Sequence, residues 1–248
     1  MTIPTSKPRV VVTGFGPFRC YSENPSSRIA EDLKKDPAVN ELYDLSCQTM
    51  VVAYEDVTQV VGDIWSGPSK PDLVIHIGVH PQRRTVHIEQ CSFGLGYCSY
   101  DVKGDVPLHN ANPFYTSSET IKSHLDCTDL AKAVYEDLRK PEFLVVKESY
   151  DPGRSQTPSA RRLWRTLDRF AGKVHVGGRP WRHLWRSSRR YLCGFVYYAS
   201  LCHGADRSLF VHVPEFDAKV TPELMLDLLK AVIARALAQR SQKSREGL

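Results

Sequence analysis

The 248-residue sequence predicts a single α/β domain, an α/β/α sandwich around a mainly parallel twisted sheet. Three observations carry this. Short β-branched apolar runs alternate along the chain with stretches that have helical apolar spacing. The runs lack the strict apolar/polar alternation of half-exposed strands, so they suit a sheet buried on both faces. No internal repeat breaks the pattern, and the length suits one large domain.

The elements follow in order. RVVVTGF (Arg9–Phe15) reads as a buried parallel strand ending in a glycine-rich turn. NPSSRIAEDLKK (Asn24–Lys35) opens on an Asn-Pro helix start and repeats Ile29, Ala30 and Leu33 at helical spacing. CQTMVVAY (Cys47–Tyr54) predicts a second strand and YEDVTQVVGDIW the helix after it. PDLVIHIGV (Pro71–Val79) and RTVHIEQ (Arg84–Gln90) predict the third and fourth strands. DLAKAVYEDL then reads as a helix, EFLVVKES as a strand, YLCGFVYYASL as a buried helix and SLFVHVP (Ser208–Pro214) as a strand. TPELMLDLLKAVIARALAQR closes the fold as a helix with Leu224, Leu228, Ala231 and Val232 on one stripe. Strands separated by helices of this length imply a sheet covered on both sides.

Composition narrows the function classes. The N-terminus has neither a signal-type apolar core nor a transit-like bias, and no run approaches the roughly 20 apolar residues of a membrane span. Seven cysteines at irregular spacings fit a reducing compartment better than a disulfide framework. With no CxxC pair and no HExxH, the expectation is a cytoplasmic protein without metal. The net charge of +5 is misleading as a sign of nucleic-acid binding. Residues 155–190 hold nine Arg and one Lys against a single Asp, a local +9, and the remainder of the chain is net −4. Three of the four tryptophans, Trp164, Trp181 and Trp185, share that block. The basic charge belongs to one segment and not to the fold.

Few residues offer chemistry. TGFGPF has a Gly-x-Gly after a strand but lacks the third glycine of a dinucleotide fingerprint, so phosphate binding is disfavoured. A tight turn presenting Phe15 and Phe18 at the strand's carboxyl end suits a ligand of an open α/β sheet better. Cys193 opens an apolar helix, His212 lies near the end of a strand, and Glu89 is an acid in a β-branched strand. Taken singly, the cysteine and the histidine read as ordinary core residues, while a buried Glu89 needs a partner. Together they are the set that thiol nucleophilic catalysis requires: a thiolate at a helix start, a base and an orienting carboxylate. Their elements are expected to converge on the carboxyl edge of the sheet.

The motifs VVVTGFGPF with ENPS, PDLVIHIGV with TVHIEQC and GLGY, RYLCGFVYYASL, and RSLFVHVP occur in that order from Arg9 to the last helix. As an ordered set they resemble pyroglutamyl-peptidase I, the pyrrolidone-carboxylate cysteine peptidases. The resemblance implies the same α/β/α fold and a Glu89–Cys193–His212 triad. It implies that Phe15 and Phe18 sandwich the lactam ring, with Asn24, Tyr191 and Leu192 beside them. It also implies peptides with an N-terminal pyroglutamyl residue as substrates, and no cofactor.

In that family a segment resembling Ser-x-Asp-x-Gly-Arg immediately precedes Tyr-Leu-Cys. Here SYDPGR (Ser149–Arg154) is followed by YLC only at Tyr191. Excising Ser155–Arg190 rejoins the motif and leaves 212 residues. The domain, 1–248, is thus interrupted at 155–190 by a retained intron or gene-model error, the alternative being a lineage-specific loop. With so many arginines and no sustained apolar stripe, the block is expected to be largely disordered. Two other functional readings remain at this stage. One is a catalytically impaired relative that keeps the fold; the other is a binder of nucleic acid or an acidic partner through the Arg/Trp block.

Overall fold

Val10, Val11 and Val12 turn alternately to two different apolar cores, because successive side chains of a strand point to opposite faces. That alternation generates the three layers. In the computed structural model, residues 6–18, 22–80, 84–149, 175–176, 179–180 and 190–246 are described. Among them, β1 (Arg9–Phe15), β2 (Asp44–Met50), β3 (Leu73–Val79), β4 (Thr85–Glu89), β7 (Val145–Ser149) and β10 (Ser208–Val213) form one six-stranded sheet, in the order β2-β1-β3-β10-β4-β7. A second sheet pairs β5 (Cys91–Phe93) with β6 (Thr120–Lys122), and two-residue strands β8 (His175–Val176) and β9 (Arg179–Pro180) pair antiparallel.

One face of the main sheet is covered by α1 (Pro25–Lys35), α4 (Cys127–Asp137) and α6 (Pro222–Glu246). Their Ile29, Leu33, Leu130, Val134, Leu228 and Val232 join Val10, Val12, Leu209 and Val211 in one core. The other face is covered by α3 (Tyr54–Ser66) and α5 (Leu192–Gly204), through Val57, Val61, Trp65, Phe195 and Val196 against Val11, Val74 and Phe210. Each large apolar side chain buried this way contributes about 1.5–3 kcal/mol. No helix among the described residues is long and apolar enough to cross a membrane.

Three differences from the sequence reading have physical causes. The second strand is Asp44–Met50, not Cys47–Tyr54: it lies at the sheet edge, its outer residues are polar, and Val51–Ala53 instead turn the chain into α3. The short α2 (Pro37–Leu42), capped by Asp36, and the β5–β6 ribbon carry too few apolar residues to show a period. β4 runs antiparallel to β10, although β1–β2, β1–β3, β3–β10 and β4–β7 are all parallel. The carboxyl end of β4 is therefore not at the edge where β1, β3 and β10 end. Of the segment 155–190, only 175–176, 179–180 and Arg190 are described; its expected disorder lies outside the described residues.

The β1–α1 connection is closely packed. A Cβ on Gly14 would stand 2.4 Å from the Ser26 carbonyl oxygen, so the strand and the helix start approach as only glycine allows. Gly14→Ala is expected to destabilise the protein by about 1–3 kcal/mol, seen as a lower urea midpoint. Gly62→Ala, in α3, where a Cβ meets nothing within 4 Å, is expected to stabilise it by about 0.5–1 kcal/mol. Equal midpoints for the two variants would show that the close approach at Gly14 is not maintained in solution.

Candidate active site

β10 carries His212 into the sheet, 2% exposed, and the antiparallel register His212↔His87 brings Glu89, 1% exposed, alongside it. His212 Nδ1 and Glu89 Oε1 are 2.7 Å apart. A carboxylate only accepts, so Nδ1 donates, and Nε2 is left for the hydrogen bond that His212 makes with the Cys193 thiol. Glu89, His212 and Cys193 thus meet. His212 and Gly78 are the penultimate residues of β10 and β3, so histidine and thiol meet at the carboxyl edge of those strands, as expected; Glu89 alone departs, reaching His212 from the antiparallel β4.

Cys193 is the second residue of α5, whose N-cap Tyr191 is extended and forms no side-chain cap hydrogen bond. The first-turn N–H groups and the helix dipole favour negative charge there. The sulfur rests over Gly78 of β3, which pairs with His212; a Cβ on Gly78 would lie 3.0 Å from Cys193 Sγ and 2.8 Å from Phe210 Cζ. On the same helix, Tyr197 donates to the Glu89 carbonyl at 2.7 Å, and the Cys127 thiol meets that carbonyl at 3.4 Å. Ser92 Oγ donates to the Gly194 carbonyl at 2.7 Å.

A pocket with an empty volume of about 240 Å³, partly open to solvent, adjoins the thiol and is lined by Phe15, Phe18, Asn24, Val52, Val79, Tyr191 and Cys193. The Phe18 and Tyr191 ring centroids are 6.3 Å apart. Asn24 belongs to the lining, but its amide also builds the loop. Nδ2 donates to the Gly16 carbonyl at 3.1 Å, and Oδ1 accepts from the N–H and hydroxyl of Ser26. Leu192 is the exception among the expected pocket residues. Its side chain, 1% exposed, lies in the core with Phe195 and Val196, because a residue at the first position of this buried helix turns inward.

Burial alone would lower the pKa of His212. The charge and hydrogen bond of Cys193, then those of Glu89, outweigh it and raise His212 to about 10. Two further histidines flank it. His80 and His87 have ring centroids 5.1 Å apart, and His80 lies 5.4 Å from His212. Burial holds His80 down at about 3, aided by the charge of His212, and holds His87 at about 4. The cluster therefore concentrates its proton on His212. Sequence reasoning missed Gly78, Tyr197, His80 and His87. Tyr197 had a signal, four residues after Cys193 on one helix face, as did His87, two before Glu89 on one strand face. Among the described residues, no group of three or more His, Cys, Asp or Glu side chains could hold a metal ion.

The folded-state pKa of His212 lies above its unfolded value, so the pairing stabilises the fold fully below about 6.5, and this contribution is lost as pH rises through about 10. In an NMR titration the His212 ring is expected to stay protonated through neutrality, and to titrate lower in Glu89→Gln. A His212 transition near 6.5 in the unsubstituted protein would show that the raised value is wrong.

Residues 5–156 match the family model described as "Putative pyroglutamyl peptidase PgaPase_1". The chain is 28% identical to pyroglutamyl-peptidase 1 of Rattus norvegicus over 233 residues, covering 94% of this chain and 91% of that protein. It is also 28% identical to the Homo sapiens protein of the same name over 228 residues, covering 92% and 89%. Among solved structures, pyrrolidone carboxyl peptidase from Thermococcus litoralis superposes with a TM-score of 0.65 at 16% identity, covering 95% of this chain and 96% of that one, a likeness of fold. With a family model spanning more than half of its residues, the chain belongs to the putative pyroglutamyl peptidases of the PgaPase_1 family.

Proposed function

We propose that this protein is a cysteine exopeptidase that hydrolyses the amide bond after an N-terminal pyroglutamyl residue. One observation carries the reading: a Glu89–His212–Cys193 hydrogen-bonded chain stands beside an apolar pocket lined by Phe15, Phe18 and Tyr191. In this reading the Cys193 sulfur attacks the carbonyl carbon joining the cyclic residue to the next one, forming a C–S bond. His212, protonated at rest and held by Glu89, gives its proton to the departing amine nitrogen as the C–N bond breaks. Water, giving a proton to His212, then hydrolyses the thioester, releasing pyroglutamic acid and restoring the thiolate beside protonated His212. N–H groups of the first turn of α5 stabilise the oxyanion, each donor being worth about 3 kcal/mol.

The substrate lactam is flat and uncharged, which suits ring faces and a few polar groups better than a salt bridge. Phe15, Phe18 and Tyr191 supply ring surface, while Asn24 holds the loop that presents both phenylalanines. The protein is assigned to the cytoplasm, because the nucleophile must stay reduced; the six described cysteines are all free thiols. The catalytic unit is a single domain that residues 155–190 interrupt in sequence.

Cys193→Ala is expected to abolish release from a chromogenic pyroglutamyl amide. Cys202→Ala, at an exposed thiol nine residues on, is expected to leave kcat/KM within about twofold. Glu89→Gln is expected to cost less than Cys193→Ala, since the carboxylate orients the base and forms no bond. Equal losses in the two cysteine variants would trace the effect to thiol damage or unfolding and reject Cys193 as the nucleophile.

A further inference from the structure

Arg190 immediately precedes Tyr191-Leu192-Cys193, and three contacts fix it on one loop. Its backbone N–H donates to the Gly96 carbonyl at 3.3 Å. Its Nη1 donates to the Leu95 carbonyl at 2.8 Å. Its guanidinium carbon stands 3.7 Å from the centre of the Phe93 ring, a cation–π arrangement. Gly96, at φ +95°, turns the backbone through a conformation that other residues rarely adopt.

That loop is itself held. Gly94 N–H donates to Glu119, Asn112 N–H donates back to Gly94, and the Gly96 and Tyr97 N–H groups both reach the Asn110 carbonyl. The same stretch grips the far side of the nucleophile. Ser92 Oγ donates to the Gly194 carbonyl, and Tyr97 packs edge-on to Phe195 with ring centroids 5.2 Å apart. The tripeptide ending in Cys193 is therefore spanned between two fixed points on residues 92–97: Arg190 before it, Gly194 and Phe195 after it.

Resting on the cysteine-peptidase reading above, we propose that Arg190 is a positioning residue. It latches the chain to the Phe93–Gly96 loop, so that this loop sets the placement of the thiol. The planar fork of arginine suits the double duty of carbonyl donor and ring partner, which a lysine meets only in part.

The test uses the full chain with Arg190→Ala and Arg190→Lys, and measures iodoacetamide alkylation of each cysteine by peptide mass spectrometry across pH. In Arg190→Ala, Cys193 is expected to react about tenfold more slowly near neutral pH with a displaced pH profile, because a shift well below 1 Å already misaligns such a site. On a pyroglutamyl amide, kcat is expected to fall by a similar factor with KM changed less than about threefold, and Arg190→Lys to recover part of both losses. Unchanged Cys193 reactivity in Arg190→Ala overturns the latch, as does an absence of recovery with lysine. New labelling of the buried Cys91 and Cys127 also overturns it, because the loss would then be general unfolding. If the unsubstituted protein releases no pyroglutamate, the proposed function fails while the alkylation rates still decide the role of Arg190.

Discussion

The Glu89–His212 pair constrains everything around it. A carboxylate that is 1% exposed is tolerable only when paired and hydrogen-bonded; here His212 on the neighbouring strand supplies the hydrogen bond at 2.7 Å, and His87 Nδ1 lies 4.0 Å from the same oxygen. The geometry comes from the one antiparallel neighbour in the main sheet. Were β4 parallel to β10, a different register would face His212. The backbone of Glu89 is also pinned, with its carbonyl meeting the Tyr197 hydroxyl and the Cys127 thiol. Through Tyr197 the helix that bears Cys193 is tied to the strand that bears Glu89, four residues from the thiol on the same helix face. Thiol and carboxylate thus share a support that does not pass through His212. Gly78 completes it by leaving room for the sulfur directly above the sheet.

Charge and shape are divided between two neighbouring regions. The ionisable groups, Cys193, His212, Glu89, His80 and His87, are gathered around β3, β10 and β4, while the pocket contributes rings, valines and one amide. The division suits a neutral ligand: binding asks little of the charged cluster, whose electrostatics remain available for the charge that develops during reaction. His80 and His87 matter by staying neutral. A second imidazolium beside His212 would oppose its protonation, and burial of these two rings prevents that.

The sequence made legible what is periodic and what is ordered along the chain. The buried strands Arg9–Phe15, Leu73–Val79 and Ser208–Val213 stand out because both faces are apolar, and α1 stands out through its Asn-Pro start. β2 was displaced toward Val51–Ala53 because an edge strand with polar outer residues has a weaker apolar signal than the turn that follows it. The direction of β4 was not legible, since strand direction is set by pairing and not by composition. Glu89, Cys193 and His212 were legible as residue types and, through the resemblance, as a set, although Cys193 and His212 singly read as core residues; their meeting in space is visible only in the fold. Leu192 went the other way: next to Cys193 in sequence, it is turned into the core by the helix.

In sequence a basic block stands directly before the helix start that bears Cys193. A helix start is positioned by the groups that hold its first turn, and those groups need not be adjacent in the chain. Here they come from residues 92–97, from Asn112, whose Nδ2 reaches the Phe195 carbonyl at 2.8 Å, and from β3 beneath the sulfur. Just before this turn the chain is engaged at Arg190 by two carbonyls and an aromatic ring. A site assembled from distant strands in this way tolerates change in the adjoining sequence better than one built on a single loop, because each fixed point must be lost separately before the geometry is lost.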